Sequence, residues 1–318
     1  MKKSVTLLFS VVLMSLVGCQ RNGDEPLLKS DYPVFTASTE VFTPTSKTSL
    51  TPERAVVWSA DDRVAIFQGS SIADEYVIAQ SSVGKTNATL TILKDNGVEN
   101  GDFSAGVKLP GNVAYYPYSS ELALSGSAFD DEVVYRLEGV LLPEVQTYAS
   151  KSFANGAFPM VAVTQAKPDH NLKFKNVLGA IKLQLKGTQK IQSVKIEGAD
   201  GEKLSGAASV TAYSDNSVPS IIMSSDANRS VILDCGDGVQ LDQYMATDFI
   251  IALPPTEFNN GFYIEVTDSN DRKVVFTARS ANTVYRSSIL VMPAVVVPDN
   301  MNGGTEDVNK GEDVGINK

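Results

Sequence analysis

Histidine and cysteine are almost absent from this chain of 318 residues, which has one histidine, His170, and two cysteines, Cys19 and Cys235. A nucleophile relay built on histidine needs an imidazole held beside an orienting acid, and a zinc site needs clustered histidine and cysteine ligands. His170 lies in a polar stretch, so we interpret it as a solvated surface residue. These absences argue against a histidine-dependent enzyme and a zinc protein, and we predict neither a cofactor nor a metal site.

An excess of positive charge is missing as well. The chain has 27 lysine and arginine residues against 37 aspartate and glutamate residues, which gives a net charge of −10. A surface this acidic repels the phosphates of nucleic acids and anionic lipid head groups. We therefore predict no nucleic-acid partner.

Helical hydrophobic periodicity is nearly absent after residue 20, and no later apolar run is long enough to span a bilayer. Short β-branched and aromatic runs instead recur between clusters of glycine, asparagine, aspartate, serine and proline, which is the pattern of a β-sandwich. Residues 180–186 and 263–267 alternate apolar and polar side chains, as half-buried strands do. We therefore predict an all-β fold.

The first residues have the pattern of an export signal. Lys2 and Lys3 precede the apolar residues 5–17, a run too short for a permanent transmembrane helix. A small residue and then Cys19 follow, which resembles the bacterial lipobox, where the cysteine is acylated and becomes the new N-terminus. We predict that residues 1–18 are a lipoprotein signal peptide. The alternative is an ordinary secretory signal with a chance cysteine.

Acylation at Cys19 would attach the protein to a lipid bilayer, because more than one acyl chain holds a protein there stably. It would also leave Cys235 as the only cysteine with a free thiol, so that no disulfide forms within the chain. We predict that this thiol is buried in a strand or at the end of one.

The predicted strands outnumber those of one sandwich of about 100 residues, so we predict two domains. A polar stretch at residues 166–171, which contains a proline, separates two series of strands. The asparagine-, glycine- and acid-rich C-terminus is predicted to be disordered. The predicted division is a lipidated linker at 19–32, an N-terminal sandwich at 33–168, a C-terminal sandwich at 169–298 and a disordered tail at 299–318.

Neighbouring carboxylates are the remaining catalytic pattern. Asp61-Asp62 and Asp130-Asp131-Glu132 lie in predicted turns, where aspartate is favoured for its backbone hydrogen bonds. A glycosidase would need two such acids facing each other across a cleft. Residues 268–271 and 235–238 lack the roughly twelve-residue ligand spacing of a calcium loop. We interpret the first two groups as exposed turns and the last two as hairpin turns.

Aromatic residues offer one further candidate. Tyr115, Tyr116 and Tyr118 would suit a platform on which sugars stack, but alternation along a strand places Tyr115 and Tyr116 on opposite faces of a sheet. We interpret them, together with the lone Trp58, as core residues.

Six segments form a pattern along the chain. In order they are Lys47-Thr48-Ser49-Leu50, residues 57–67 beginning Val57-Trp58-Ser59-Ala60, Ala114-Tyr115-Tyr116-Pro117-Tyr118, Leu142-Pro143-Glu144-Val145-Gln146-Thr147-Tyr148, Phe174-Lys175-Asn176-Val177-Leu178-Gly179-Ala180 and Leu204-Ser205-Gly206. Together they resemble the fimbrillin-like proteins, which supply pilus subunits on Gram-negative anaerobes. Asp61 departs from the family, which usually has glycine there. The resemblance covers residues 30–297 and includes the lipobox.

The resemblance implies two transthyretin-like β-sandwich domains in tandem, export to the surface of the outer membrane as a lipoprotein, and a structural or adhesive role in a pilus without enzymatic activity. Its implied partners are other pilus subunits and a host glycan or protein. A surface glycan-binding lipoprotein that never polymerises is the alternative, and a β-sandwich glycosidase is a third reading.

In stalk subunits of that family a trypsin-like protease cuts after an arginine and removes the lipidated N-terminal segment. The cut uncovers a groove that the C-terminal strand of a neighbouring subunit fills, which is a form of strand addition to an unpaired edge. Mapped onto this chain, the cut falls between Arg54 and Ala55, although Arg54 is equally well an ordinary loop residue. The excised part includes an alternating strand, expected at the edge of the first domain, that consists of Val34, Phe35, Thr36, Ala37 and Ser38.

The resemblance also points to a donor strand near the C-terminus, between Pro293 and Pro298. The alternative is that this segment is the last strand of its own domain. A polar tail follows it, which argues against a stalk position and leaves a tip or accessory position open. The candidate donor residues are Ala294, Val295, Val296 and Val297.

Overall fold

The computed structural model of the chain describes residues 32–42, 56–96, 110–129 and 132–307. In these ranges the chain forms 22 β-strands and one short 3₁₀ turn, Gln80–Ser82. No helix in the same ranges is long and apolar enough to cross a membrane. The prediction of an all-β fold is confirmed.

The strands that precede residue 177 form most of the first core, which lies inside and around a β-barrel. They are β1 (Phe35–Thr39), β2 (Arg63–Phe67), β3 (Asp74–Ile78), β4 (Asn87–Lys94), β5 (Val113–Tyr116), β6 (Ala123–Phe129), β7 (Glu132–Leu142), β8 (Val145–Thr147), β9 (Met160–Val163) and β10 (Asn171–Asn176).

The strands that follow carry most of the second core. They are β11 (Gly179–Lys186), β12 (Lys190–Gly198), β13 (Gly206–Tyr213), β14 (Ser220–Met223), β15 (Ser230–Gln240), β16 (Thr247–Leu253), β17 (Thr256–Phe258), β18 (Phe262–Asp268), β19 (Lys273–Ala278), β20 (Asn282–Val284), β21 (Ile289–Val296) and β22 (Asn302–Asp307).

Seven strands close into a barrel in the order β1-β10-β9-β5-β2-β3-β4. Alternation along β2 shows how the barrel is filled. Val64 and Ile66 belong to the inner core, inside the barrel, while Ala65 and Phe67 belong to the outer core, outside it, and all four are buried. A strand buried on both faces needs a covering layer. The sheet β14-β13-β7-β6 supplies that layer with residues such as Tyr135 and Val210.

The C-terminal part forms a sandwich of a three-stranded sheet, β16-β11-β21, and a six-stranded sheet, β22-β19-β18-β12-β15-β8. On β11, Ile181, Leu183 and Leu185 point into the core between the sheets, and the intervening polar residues are half-buried. The alternation predicted at residues 180–186 is therefore confirmed.

The topology departs from the predicted domain division at three points. β10 lies beyond the predicted boundary at residues 168 and 169, yet it completes the barrel. β8 comes from the first part of the chain and pairs with β15 in the second sandwich, whereas β13 and β14 come from the second part and cover the barrel. Periodicity in a sequence gives the buried face of a strand but does not give its neighbour.

The tail predicted to be disordered begins with an ordered segment. β22 pairs in parallel with β19, and the preceding Met301 is buried in the second core. The polar composition of Asn302–Asp307 hid this strand, because it lies at a sheet edge where few apolar residues are needed. Residues 308–318 lie outside the described residues.

Candidate functional site at the first strand

The first strand, β1, is an interior strand of the barrel. It runs antiparallel to β4, with Phe35 opposite Leu90, and parallel to β10, with Ala37 opposite Leu172. The expectation of an edge strand is wrong, because β1 has a hydrogen-bonded neighbour on each side. Its position still suits a removable element, since without β1 the barrel would open between β4 and β10.

The side chains of β1 alternate between the barrel interior and the outside. Phe35 and Ala37 are buried in the interior core, while Val34, just before the strand, is 53% exposed. The Phe35 ring contacts Tyr76 edge-to-face, with centroids 5.3 Å apart. On its other side it contacts the half-buried His170 at 4.9 Å. The interpretation of His170 as a solvated surface residue is therefore wrong, because its ring is half-buried in contact with Phe35.

An ion pair follows β1 directly. Arg286 Nη1 donates to Glu40 Oε2 at 2.6 Å and Nη2 donates to Oε1 at 3.0 Å, so the pair is bidentate. The side chains of Arg286 and Glu40 are 17% and 20% exposed. The Asn176 backbone N–H adds a hydrogen bond to Glu40 Oε2 at 2.8 Å, and the Asn176 carbonyl accepts from Arg286 Nη1 at 2.7 Å. Charged, bidentate and partly desolvated hydrogen bonds are the stronger ones in proteins.

The protonation of Glu40 follows from these contacts. Burial alone would raise the pKa of its carboxyl group, but the hydrogen bonds from Arg286 and Asn176 and the positive charges of Arg286 and Lys175 outweigh burial. The net result is a pKa below the usual value. Glu40 is therefore ionised at neutral pH and pairs with Arg286 as a carboxylate.

Two residues further on, Phe42 is buried in a pocket of aromatic side chains. Its ring lies 5.1 Å from that of Phe158 and 6.0 Å from that of Phe153, measured between centroids. The rings of Phe153 and Phe158 are themselves in contact at 4.6 Å. Phe42 thus anchors the end of the described N-terminal segment, residues 32–42, on the outer core of the first domain.

The same segment holds the start of β21. Ser287 lies two residues before β21 and its backbone N–H donates to the carbonyl of Leu178 at 2.8 Å. Its hydroxyl donates to the Val41 carbonyl at 3.5 Å and accepts from Asn176 Nδ2 at 2.8 Å. Residues 40–42 are therefore in contact with the loop that leads into the last strand of the three-stranded sheet.

The candidate donor residues belong to the second sandwich. Ala294, Val295 and Val296 pair with residues 184–186 of β11, and Val297 is buried with its N–H bonded to the Lys186 carbonyl at 2.8 Å. These residues therefore pair within their own domain, although β22 and not β21 is its last strand. Donation to a neighbour stays a prediction, and it would require this part of β21 to leave β11.

Several predicted site residues lie outside the described residues. They are Cys19, Arg54, Ala55, Asp130 and Asp131. The predicted lipidation and cleavage therefore stay predictions.

The tyrosine residues lie where alternation placed them. Tyr115 is buried in the core outside the barrel and Tyr116 in the core inside it. Tyr118 is half-buried against the outer core. Trp58 is buried inside the barrel, where its ring contacts Tyr116 at 5.4 Å and Phe174 at 5.5 Å. The interpretation of these residues as core is confirmed, and they form no exposed stacking platform.

The neighbouring carboxylates Asp61 and Asp62 lie in different environments. Asp61 occupies a turn with φ of 62°, but Asp62 is buried, which corrects its interpretation as an exposed turn residue. Burial raises the pKa of Asp62, although the Ser59 N–H and the Tyr116 hydroxyl donate to its carboxylate at 2.7 and 2.8 Å. These hydrogen bonds hold the carboxylate at the end of the barrel. Neither of the two donors belongs to a second acid.

The two loops considered for calcium also differ from each other. Asp268 is buried and accepts hydrogen bonds from the Asn270 N–H and from Arg272, so residues 268–271 form a hairpin turn as predicted. Residues 235–238 instead lie within β15, which corrects the prediction of a turn there. Within the described ranges, no group of three or more histidine, cysteine, aspartate or glutamate residues is arranged to hold a metal ion.

Cys235 is buried with a free thiol, as predicted. Burial, together with the neighbouring Asp234, raises the pKa of this thiol to about 12. Because the thiolate is the reactive form, Cys235 is expected to be inert in the folded protein.

Sequence reasoning missed Glu40, Asn176 and Arg286, the polar residues that hold the N-terminal segment. Glu40 and Arg286 lie 246 positions apart. An acid and a base at that distance are two of many charged residues in a sequence, and only the fold brings them together.

Comparison with known proteins gives matches among solved structures only. No family model matches the sequence, and no curated protein matches it. A candidate cell adhesion protein of Bacteroides uniformis has 14% identity over 84% of this chain and 93% of that chain, with a TM-score of 0.44. A candidate cell adhesion protein of Bacteroides ovatus has 13% identity over 76% of this chain and 85% of that chain, with a TM-score of 0.44.

The tip fimbrial protein Mfa3 of Porphyromonas gingivalis, in a form truncated at its C-terminus, also matches. It has 8% identity over 84% of this chain and 96% of that chain, with a TM-score of 0.26. These structural neighbours are cell-adhesion and fimbrial proteins.

Proposed function

We propose that this chain is a structural or adhesive subunit of a cell-surface pilus, built as two transthyretin-like sandwiches in tandem, without enzymatic activity. It is delivered to the surface of the outer membrane as a lipoprotein acylated on Cys19, and its partners are other pilus subunits. The observation that carries the proposal is the position of β1. This strand closes the barrel, yet it precedes Arg54 in the sequence, whereas every other barrel strand follows it.

A cut between Arg54 and Ala55 would separate β1 from the rest of the barrel. Loss of β1 leaves β4 and β10 each with one unpaired side, and such edges pair readily with an added strand. It also uncovers Leu90 and Leu172, which are fully buried beside β1. Burial of a side chain such as Phe35 contributes about 1.5–3 kcal/mol. The opened protein is therefore less stable until a partner strand binds, which drives assembly.

The experiment is limited proteolysis of the soluble Cys19→Ser chain with trypsin, followed by sequencing of the new N-terminus. The expected result is a terminus at Ala55 and oligomers that resist heating in the presence of partner subunits. The matched control is Arg54→Gln, with Lys47→Gln in both chains because trypsin also cuts after lysine, and this control should keep its N-terminal segment and stay monomeric.

A second measurement tests the location and the role together. Electron microscopy of cells with and without the protein should show filaments that depend on it. The proposal would be ruled out if trypsin left the bond after Arg54 uncut and if cells that lack the protein still formed unchanged filaments.

A further inference from the structure

Residues 40–42 cover a surface that consists of the Arg286 cation and an aromatic pocket beside it. Without the N-terminal segment, Arg286 would lose both hydrogen bonds to a carboxylate and, of the contacts described above, would keep only the one to the Asn176 carbonyl. The Asn176 N–H would lose its acceptor as well. With the segment in place the Arg286 side chain is only 17% exposed, so removal of Glu40 leaves a partly desolvated guanidinium without its counter-ion, which is unfavourable.

An apolar pocket lies beside this cation. Phe42 fills it by contact with Phe153 and Phe158, and Phe42 itself is buried. The carboxylate of Glu40 and the ring of Phe42 belong to residues two apart. The uncovered surface therefore presents a positive site followed by an aromatic pocket, at a spacing that an extended strand satisfies with side chains on one face.

We propose that this surface selects the incoming strand of another pilus subunit, and that the strand must carry an acidic residue opposite Arg286 and a large apolar residue two positions later. The inference rests on the proposed function and adds to it the chemistry that determines which partner fits. The edges of β4 and β10 that the loss of β1 leaves unpaired bind any extended backbone, whereas Arg286 and the aromatic pocket discriminate between side chains. Charge complementarity at such a site rejects a strand that lacks the acid, because Arg286 is then left unpaired.

The chain has the same spacing in its own C-terminal segment, with Asp299 and Met301. There, Asp299 Oδ1 accepts hydrogen bonds from Thr188 and Gln189 at 3.0 Å each, and Met301 is buried in the second core. Asp299 and Met301 therefore already make their contacts within their own sandwich. This engagement favours a strand from a different subunit over a second copy of this chain.

The experiment uses the whole Cys19→Ser chain, with residues 47–50 replaced by the recognition sequence of a specific protease and then cut there. The chain keeps its N-terminal segment after the cut, and a fluorescent peptide of residues 32–42 competes for the same place. Anisotropy gives the dissociation constant of the wild-type peptide and of its Glu40→Gln, Phe42→Ala and Val41→Ala variants. Val41 is the control, since its side chain is exposed.

The expected result is a loss of affinity of about tenfold or more for the Glu40→Gln and Phe42→Ala peptides, and little change for Val41→Ala. In a chain with Arg286→Gln, the wild-type and Glu40→Gln peptides should bind equally well. An Arg286→Lys chain, which keeps the charge, should restore part of the preference and covers the case in which Arg286→Gln does not fold.

Equal binding of the wild-type and Glu40→Gln peptides to the unaltered protein would overturn the inference while leaving the strand-exchange proposal in place. A preference for Glu40 that persists in the Arg286→Gln chain would overturn it too. Failure of every peptide to bind the cut chain would instead refute strand exchange at this site, and the inference with it.

Discussion

Glu40 and Arg286 form a bidentate ion pair that joins the residues just after the first strand to the residues just before β21. The pair joins residues that are 246 positions apart in the sequence. The N-terminal segment is thereby fixed to both domains, since Phe42 packs on the first while Arg286 belongs to the second.

The ion pair is expected to contribute measurably to stability. Glu40→Gln and Arg286→Gln should each lower the free energy of unfolding by about 1–3 kcal/mol, a range reduced from that of fully buried pairs because both side chains are partly exposed. The double variant should lose less than the sum, because the second substitution no longer strands a charge. Urea denaturation measures all three. Additive effects would show that the two residues do not act as a pair, and Lys195→Gln, at a more exposed pair, is the control.

The contribution of Glu40 should depend on pH in a direction fixed by its pKa. Because the folded-state pKa lies below the ordinary 4.5, stability from this group is present above about pH 4.5 and is lost as the pH falls through the lower folded-state value. The stability difference between the wild-type chain and Glu40→Gln should therefore shrink as the pH is lowered from 7 to 3. Denaturation curves across this range provide the measurement. A difference that stays constant would mean that Glu40 is not the titrating group.

Phe35 is expected to be the main apolar anchor of β1. Phe35→Ala should cost about 3–5 kcal/mol, since it leaves a cavity between Tyr76 and His170. Val34→Ala, at an exposed neighbouring position, should stay within about 0.5 kcal/mol. Hydrogen exchange adds a local readout, because β4 and β10 should lose protection in Phe35→Ala. Unchanged protection there would contradict a role for this ring in holding the strand.

The lipid anchor has a direct test. Cys19→Ser should release the protein from the membrane fraction and abolish labelling with fatty acid, because no other cysteine lies next to a signal peptide. Continued labelling and membrane association of the variant would exclude a lipoprotein.

Cys235 should react slowly with thiol reagents in the native protein. Its thiol is buried and its pKa is raised to about 12, so that very little thiolate is present near neutral pH. Labelling should become fast in denaturant, which serves as the control. Fast labelling of the folded chain would place the thiol at the surface.

Local patterns in this sequence predict what a residue faces, and they do so well. The opposite faces of Tyr115 and Tyr116, the half-buried alternation of β11 and the buried Cys235 all follow from period-two patterning and residue type. Such patterns report on burial, which each strand shows by itself.

Those patterns do not show which strands or residues lie next to each other in the fold. Nothing local distinguishes β1 as an interior strand from β1 as an edge strand, because both need the same alternation. Asp62 likewise has the sequence context of an exposed turn, and its burial depends on the Tyr116 hydroxyl, which the fold brings to its carboxylate from 54 positions away. The pairing of Glu40 with Arg286 depends on how the two domains are joined, which a single sequence does not record.

The exchange of strands between the two parts of the chain has a mechanical consequence. β8 is bonded into the second sandwich, where the Gln146 side chain also bonds the backbone of Ala252 in both directions at 2.8 and 3.0 Å. β13 is bonded in return to β7 on the first domain. The two parts are therefore joined by strand pairs as well as by the connecting chain, and tension applied at opposite ends does not act on a flexible linker alone. A pull on the chain would therefore act on these strand pairs, so the two parts should stretch together as one unit.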